Sequence, residues 1–282
     1  MTREEARTRF AEAVARDENN LELDRAALLI AAEEYPGLEI EDYLDQLDRL
    51  AETAKTNDDS YASPIVRMMR LSHLLFDELG FRGNTENYND ARNSFLNDVM
   101  DRRTGIPITL SVVYLEVARR IGLKLFGVGM PGHFIVKRAP DPSGDEQEIF
   151  VDPFHGGRLL TEEQCREIIA EMYNGEMKFQ PAFLQAVTRK QILARMLQNL
   201  KAIYARAQAH HKTLGVIERL LLLDPDAATG IRDRGLACFA MERYGEARSD
   251  LEEYLSRAPQ AEDADQIRQR ITQLRQRQAR LN

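Results

Sequence analysis

The chain has 282 residues, 43% of them hydrophobic and 30% charged, which is enough apolar material for one large or two modest folded domains. Lys plus Arg number 38 against 46 Asp plus Glu, a net charge of −8, so a phosphate backbone is not an expected partner. The N-terminus is charged where a secretory leader would be apolar, and no run is long and apolar enough to span a bilayer. Two cysteines 73 residues apart, Cys165 and Cys238, form no CxxC pair. No metal site and no cofactor are predicted, and a cytoplasmic location is expected.

Residues 1–57 read as helices. Leu21, Leu23, Ala26, Leu28, Leu29, Ala31 and Ala32 recur at helical spacing before Tyr35-Pro36-Gly37 stops them. Tyr43, Leu44, Leu47, Leu50 and Ala51 stripe a second helix, and Ile65 to Leu75 a third that Gly80 ends. The Asn-rich stretch Arg82–Arg92 reads as a loop. Ile108–Ile121 is apolar nearly all round, the mark of a helix at the centre of a domain. Pro107 fits its first turn, where a missing N–H costs nothing, and Gly122 ends it.

Strand-like runs follow at Leu125–Gly129, His133–Val136 and Ile149–Val151. Ala139-Pro140-Asp141-Pro142-Ser143-Gly144-Asp145 has the composition of a hairpin loop. Helices followed by strands within one unit argue an α+β fold with a small antiparallel sheet. From about residue 188 the chain reads as helical. Pro225 and Pro259 are 34 residues apart, the tetratricopeptide period, and Gly235, Tyr244, Ala247 and Leu251 fall where that repeat wants small and apolar residues. A preceding unit from Ala194 is degenerate, with Lys201 and Thr213 at small-residue positions. Two repeats bury too little alone, so they are expected to pack on the first domain or on a terminal helix at 262–280. The domains are therefore drawn as 1–187 and 188–282.

The residues that look like chemistry are His133 and Asp152, flanking the hairpin loop. With the loop centred near residue 142 or 143 they face each other across the ladder, and a carboxylate so placed orients an imidazole. His155 is a candidate second imidazole. Thr161-Glu162-Glu163-Gln164 reads as a capping box that places Cys165 in the first turn of a helix, where a thiol is acidified. Cys165 is thus an alternative nucleophile, although a lone cysteine on an amphipathic helix is more often core. Asn93, Ser94, Asn97, Thr109 and Ser111 are candidate groove-lining residues. His210 and His211, adjacent on a helix, point apart and make a poor metal site.

The stretches Arg92–Asn97, Arg103–Ser111, Pro131-Gly132-His133-Phe134 and Val151–Gly157 resemble the bacterial SirB-type family over essentially the whole chain. Members join a papain-like, transglutaminase-like domain to tetratricopeptide repeats; the family is linked by name to regulation of invasion genes, and related domains occur in eukaryotic F-box proteins. The transglutaminase-like fold sets its cysteine at the start of the central helix, 15 residues before the terminating glycine, and that register falls on Pro107. The resemblance therefore implies a degenerate triad and a non-catalytic protein- or peptide-binding regulator. The rival expectation is an amide or thioester hydrolase, or an acyl-transferase, using His133 and Asp152 with water, Ser111 or Cys165.

Overall fold

The structure is a computed structural model that describes residues 1–56, 62–138 and 148–281, with side chains to Arg277. It divides into two compact units, Met1–Met196 and Leu197–Asn282. The expected hairpin loop at 139–145 lies outside the described residues.

The first unit opens with α1 (Arg3–Val14), α2 (Leu23–Ala32) and α3 (Ile40–Thr56). A capping box starts α1, with Thr2 accepting from the Glu5 N–H. Helix α2 buries nine of its ten residues, only Arg25 being spared, and it packs against α1, α3, α5 (Leu96–Arg102) and α6 (Pro107–Arg120). The unit therefore has two central helices, where the sequence pattern singled out only α6. Helix α4 (Pro64–Ser72) runs into a π-helical turn, His73–Glu78, in which Leu74, Leu75 and Phe76 are all buried. Two two-residue strands, β1 (Arg82–Gly83) at the start of the expected Asn-rich loop and β2 (Thr104–Gly105) after α5, pair in parallel.

Helix α6 buries every residue from Pro107 to Ala118, and Gly122 follows it with φ +75°, a conformation that costs glycine nothing. The main sheet is an antiparallel meander in the order β3 (Leu125–Val128), β4 (Ile135–Arg138), β5 (Phe150–Asp152), β6 (Arg158–Leu160). Strand β6 was not expected from the sequence. Val136 pairs with Val151 and Lys137 with Phe150. That register is two residues away from the one that would set His133 directly opposite Asp152. Because side chains alternate with a period of two, an even shift keeps them on the same face. The free edge of β3 is covered by the chain at Ala186–Val187, where Val187 N–H donates to Gly127 O at 2.9 Å.

Helix α7 (Glu162–Met172) lays Cys165 and Ile169 on Val128, Ile135, Phe150 and Leu160 of the sheet. Helix α8 (Arg189–Arg206) also starts with a capping box, Thr188 with Gln191, and its Arg189 guanidinium donates to Glu18 O, Asn19 O and Leu21 O.

In the second unit α9 (His210–Leu223), α10 (Ala228–Ala240), α11 (Tyr244–Arg257) and α12 (Ala264–Leu281) follow one another. A β-carbon on Gly235 would lie 2.9 Å from Leu251 Cγ, which is why the repeat needs glycine where α10 meets α11. Ile267, Ile271 and Leu274 of α12 close the core of Leu214, Ile217, Ile231, Cys238 and Leu251, so the terminal helix does cap the repeat. No helix among the described residues is long and apolar enough to cross a membrane.

Candidate functional site

His133 is set by a turn rather than a strand. His133 N–H donates to Met130 O at 3.2 Å, Pro131 occupies the first corner, and Gly132 the second with φ +71°. That is the residue pattern of a type II turn, which needs both. Phe134 leads from it into β4, leaving the imidazole 5% exposed at the mouth of the hairpin.

Asp152 ends β5 and is fully buried. Its Oδ1 accepts from the N–H groups of Phe154 (3.1 Å) and His155 (3.3 Å), so the same carboxylate caps the short 3-10 turn Pro153–His155. Gly156 (φ +72°) and Gly157 (φ +68°) reverse the chain into β6, and Gly157 N–H donates to Asp152 O at 2.8 Å. The turn brings His155 back on its own aspartate, with Nδ1 2.6 Å from Oδ2. Oδ2 also lies 3.0 Å from His133 Nε2 and 3.7 Å from Arg158 Nη2. The His133 contact is close but badly directed, and Nε2 is a buried ring nitrogen with no aligned hydrogen-bond partner. Burial alone would raise the Asp152 carboxyl; the close His133 imidazole, then the hydrogen-bonded His155, outweigh it and hold the group below the ordinary carboxylate range.

Aromatic rings frame the pair. Phe154 stands edge-on to His133 at 6.2 Å and to His155 at 5.1 Å between centroids, and Tyr88 packs on Phe154 at 6.1 Å. Gly83 keeps that place open, since a β-carbon there would lie 2.6 Å from the Phe154 ring. Neither Phe154, Tyr88 nor Arg158 was singled out in the sequence, although Phe154 sits inside one of the quoted motifs.

The other candidate positions divide. Pro107 is buried as the first residue of α6. Thr109 is a structural tie: its Oγ1 donates to Asn93 O at 2.7 Å and accepts from Ile106 N–H at 3.2 Å. Asn93 stitches the preceding segment together through Asn84, Asn87 O and Tyr88 O. Ser94, Asn97 and Ser111 are buried too, and Ser94 Oγ, Asn97 Oδ1 and Ser111 Oγ have no protein partner among the described residues. These five residues therefore lie inside the domain and expose almost nothing to a groove. Cys165 does start α7 behind the Thr161–Gln164 capping box. Burial, then the charge of Asp152, push its thiol up to about 12, overriding the acidifying helix N-terminus. Cys238 is buried in the second unit.

A second polar cluster has no counterpart in the sequence reading. Asp24 of α2 and Glu116 of α6 are both 3% exposed; Arg120 Nη2 lies 2.6 Å from Asp24 Oδ2, and its Nη1 2.9 Å from Glu116 Oε2. Burial, then the neighbouring Asp24 charge, raise the Glu116 carboxyl to about 7.

An imidazole–aspartate pair at the open end of an antiparallel meander, beside a fully buried helix and followed by paired helices, is the plan of a transglutaminase-like domain joined to a tetratricopeptide-like array. The chain belongs to the transglutaminase-like superfamily, which it matches over residues 41–198, and it matches the tetratricopeptide repeat over residues 200–272. It is 36% identical to a UPF0162 protein of Xylella fastidiosa, covering 92% of each chain, and 31% identical to one of Pseudomonas aeruginosa, covering 89% of this chain and 90% of that one. It is also 32% identical to mouse F-box only protein 21 over 163 residues, 55% of this chain and 25% of that protein.

Proposed function

We propose that the protein is a cytoplasmic, non-catalytic regulator that binds a protein or peptide, built on a transglutaminase-like domain that has lost its nucleophile. The observation that carries this reading is Pro107, whose buried ring stands at the head of the central helix where the resemblance puts a catalytic thiol. Neither cysteine replaces it. Cys165 is protonated at neutral pH, with a thiol near 12, and Cys238 is core in the other unit. Tetratricopeptide pairs are a common platform for peptides, and the likeness to SirB-type proteins supports a regulatory rather than metabolic role. The likeness to F-box only protein 21 fits the same direction.

The test is a thiol-directed acylating probe on the full chain. No stoichiometric cysteine labelling that depends on His133 is expected. Labelling of one cysteine that is lost in His133→Ala would overturn the reading.

One observation favours a second reading. A buried carboxylate serving two imidazoles is more than a structural cap requires, and His133 with Asp152 could activate water for amide or thioester hydrolysis. Turnover of amides or thioesters by the wild type, abolished in His133→Ala with folding intact, would select it.

A further inference from the structure

We propose that His133, Asp152 and His155 form a binding site for a divalent transition-metal ion of the zinc class. The site is independent of whether the protein is catalytic.

Four features of the cluster point to it. One ligand atom from each of His133, Asp152 and His155 lies within 4.8 Å of the other two, and His133 Nε2 and His155 Nδ1 are 3.0 Å and 2.6 Å from Asp152 Oδ2. Zinc holds such donors at about 2.0–2.1 Å, which sets tetrahedral ligands about 3.3 Å apart, so opening the 2.6 Å and 3.0 Å pairs around one ion takes movements of about half an ångström. His155 can supply them, because its side chain is half-exposed.

The donor set is two imidazoles and one carboxylate, which suits zinc, cobalt or iron(II) and not the all-oxygen shells of calcium and magnesium. His133 Nε2 is 5% exposed by residue, buried by atom, and lacks an aligned partner. A buried ring nitrogen is seldom left so, and a metal ion is one way to satisfy it. The fourth feature is the support behind the ligands. Asp152 Oδ1 is held by two backbone N–H groups, so Oδ2 is presented in a fixed direction toward the two imidazoles.

Spacing helps as well. Asp152 and His155 are three residues apart on one 3-10 turn, which returns to the register where i and i+3 eclipse. The third ligand comes from the Pro131–Gly132 turn across the hairpin mouth, so the ion would clip two turns together. The half-exposed face of His155 leaves room for water or a ligand in the remaining coordination positions.

Among the described residues, the cation near Asp152 Oδ2 from outside the cluster is Arg158, at 3.7 Å and half-exposed. It competes for the same oxygen. Removing it should therefore strengthen metal binding, an effect that adventitious capture by surface histidines would not show.

The experiment uses the full, untagged chain, stripped with chelator and titrated with Zn²⁺ by calorimetry and with Co²⁺ by visible absorption. Saturation at one equivalent, with a cobalt ligand-field spectrum, is expected. His155→Ala should weaken binding by at least about tenfold while leaving the circular dichroism spectrum unchanged. Arg158→Gln should tighten it. Absence of saturable binding overturns the proposal. So does binding that His155→Ala and Arg158→Gln leave unaltered, or that disappears in the His210→Ala, His211→Ala double variant.

Discussion

The two units bury different things. In the second, the core is an apolar seam of Leu, Ile, Ala and aromatic residues, and Arg219 and Asp250 are its buried charged groups among the described residues. In the first, Asp24, Asn93, Ser94, Asn97, Thr109, Ser111, Glu116, His133 and Asp152 are all buried. Buried polar groups weaken a fold unless they are paired, and they restrict it to one arrangement when they are. The contrast teaches that the helical array is specified by shape, whereas the transglutaminase-like domain adds directional contacts at separate places: the Asp152 cluster at the hairpin mouth, the Thr109–Asn93 tie and the Asp24–Glu116–Arg120 group. Substitutions should follow that division.

The largest effect is expected at Asp152. Asp152→Ala removes the acceptor of two backbone N–H groups and strands two imidazoles and Arg158, so about 3–4 kcal/mol of stability should be lost in a denaturant titration. A loss under 1 kcal/mol would mean that the polar contacts of the first unit do not specify it.

Next comes Gly157→Ala. Its φ of +68° and a β-carbon 2.4 Å from Phe76 Cδ2 predict a loss of about 2–3 kcal/mol. Trimming Phe76 to Leu in the same chain should recover part of it, a coupling that a double-mutant cycle reads directly.

Glu116 offers a pH-dependent version of the contrast. Its folded value of about 7 lies above the ordinary 4.5, so the protonated form is favoured by folding. The stability this confers is fully present below 4.5 and is lost as pH rises through 7. Glu116→Gln should flatten the wild-type decline over that window, by about 3 kcal/mol in denaturation curves taken at several pH values. Parallel curves for the two proteins would place the proton elsewhere in the Asp24–Glu116–Arg120 cluster.

The smallest effect belongs to the array. Gly235→Ala adds one methyl 2.9 Å from Leu251 Cγ, while alanine favours the helix, and a net loss near 1 kcal/mol is expected from thermal melting. A loss as great as that of Asp152→Ala would erase the distinction between the units.

How much of this was legible in the chain follows from where the information sits. The central helix could be read because its apolar residues run all round it between Pro107 and Gly122. The seat of His133 is local too, carried by Pro131-Gly132. The hairpin register was missed by two residues because it is fixed by strand pairing, not by the midpoint of the loop composition. Face parity, and with it the His133–Asp152 contact, survived the error. Strand β6 has three residues, too few to display alternation. Asn93, Ser94 and Asn97 looked like loop polarity, and only tertiary packing makes them interior. The Asp24–Arg120 contact joins residues 96 apart, and no local pattern announces it.

The π-turn after α4 has a consequence for how the chain can change length. The wider turn buries Leu74, Leu75 and Phe76 in succession. It thereby stacks Phe76 on Tyr114, with centroids 6.2 Å apart and planes 9° from parallel, and presses it on Gly157. In evolutionary terms a π-turn is a helix carrying one inserted residue. Excising one residue from His73–Glu78 would let the helix heal into regular α geometry, yet would rotate everything beyond the cut by about 100°. The backbone would accept the deletion, and the aromatic stop behind Gly157 would be gone.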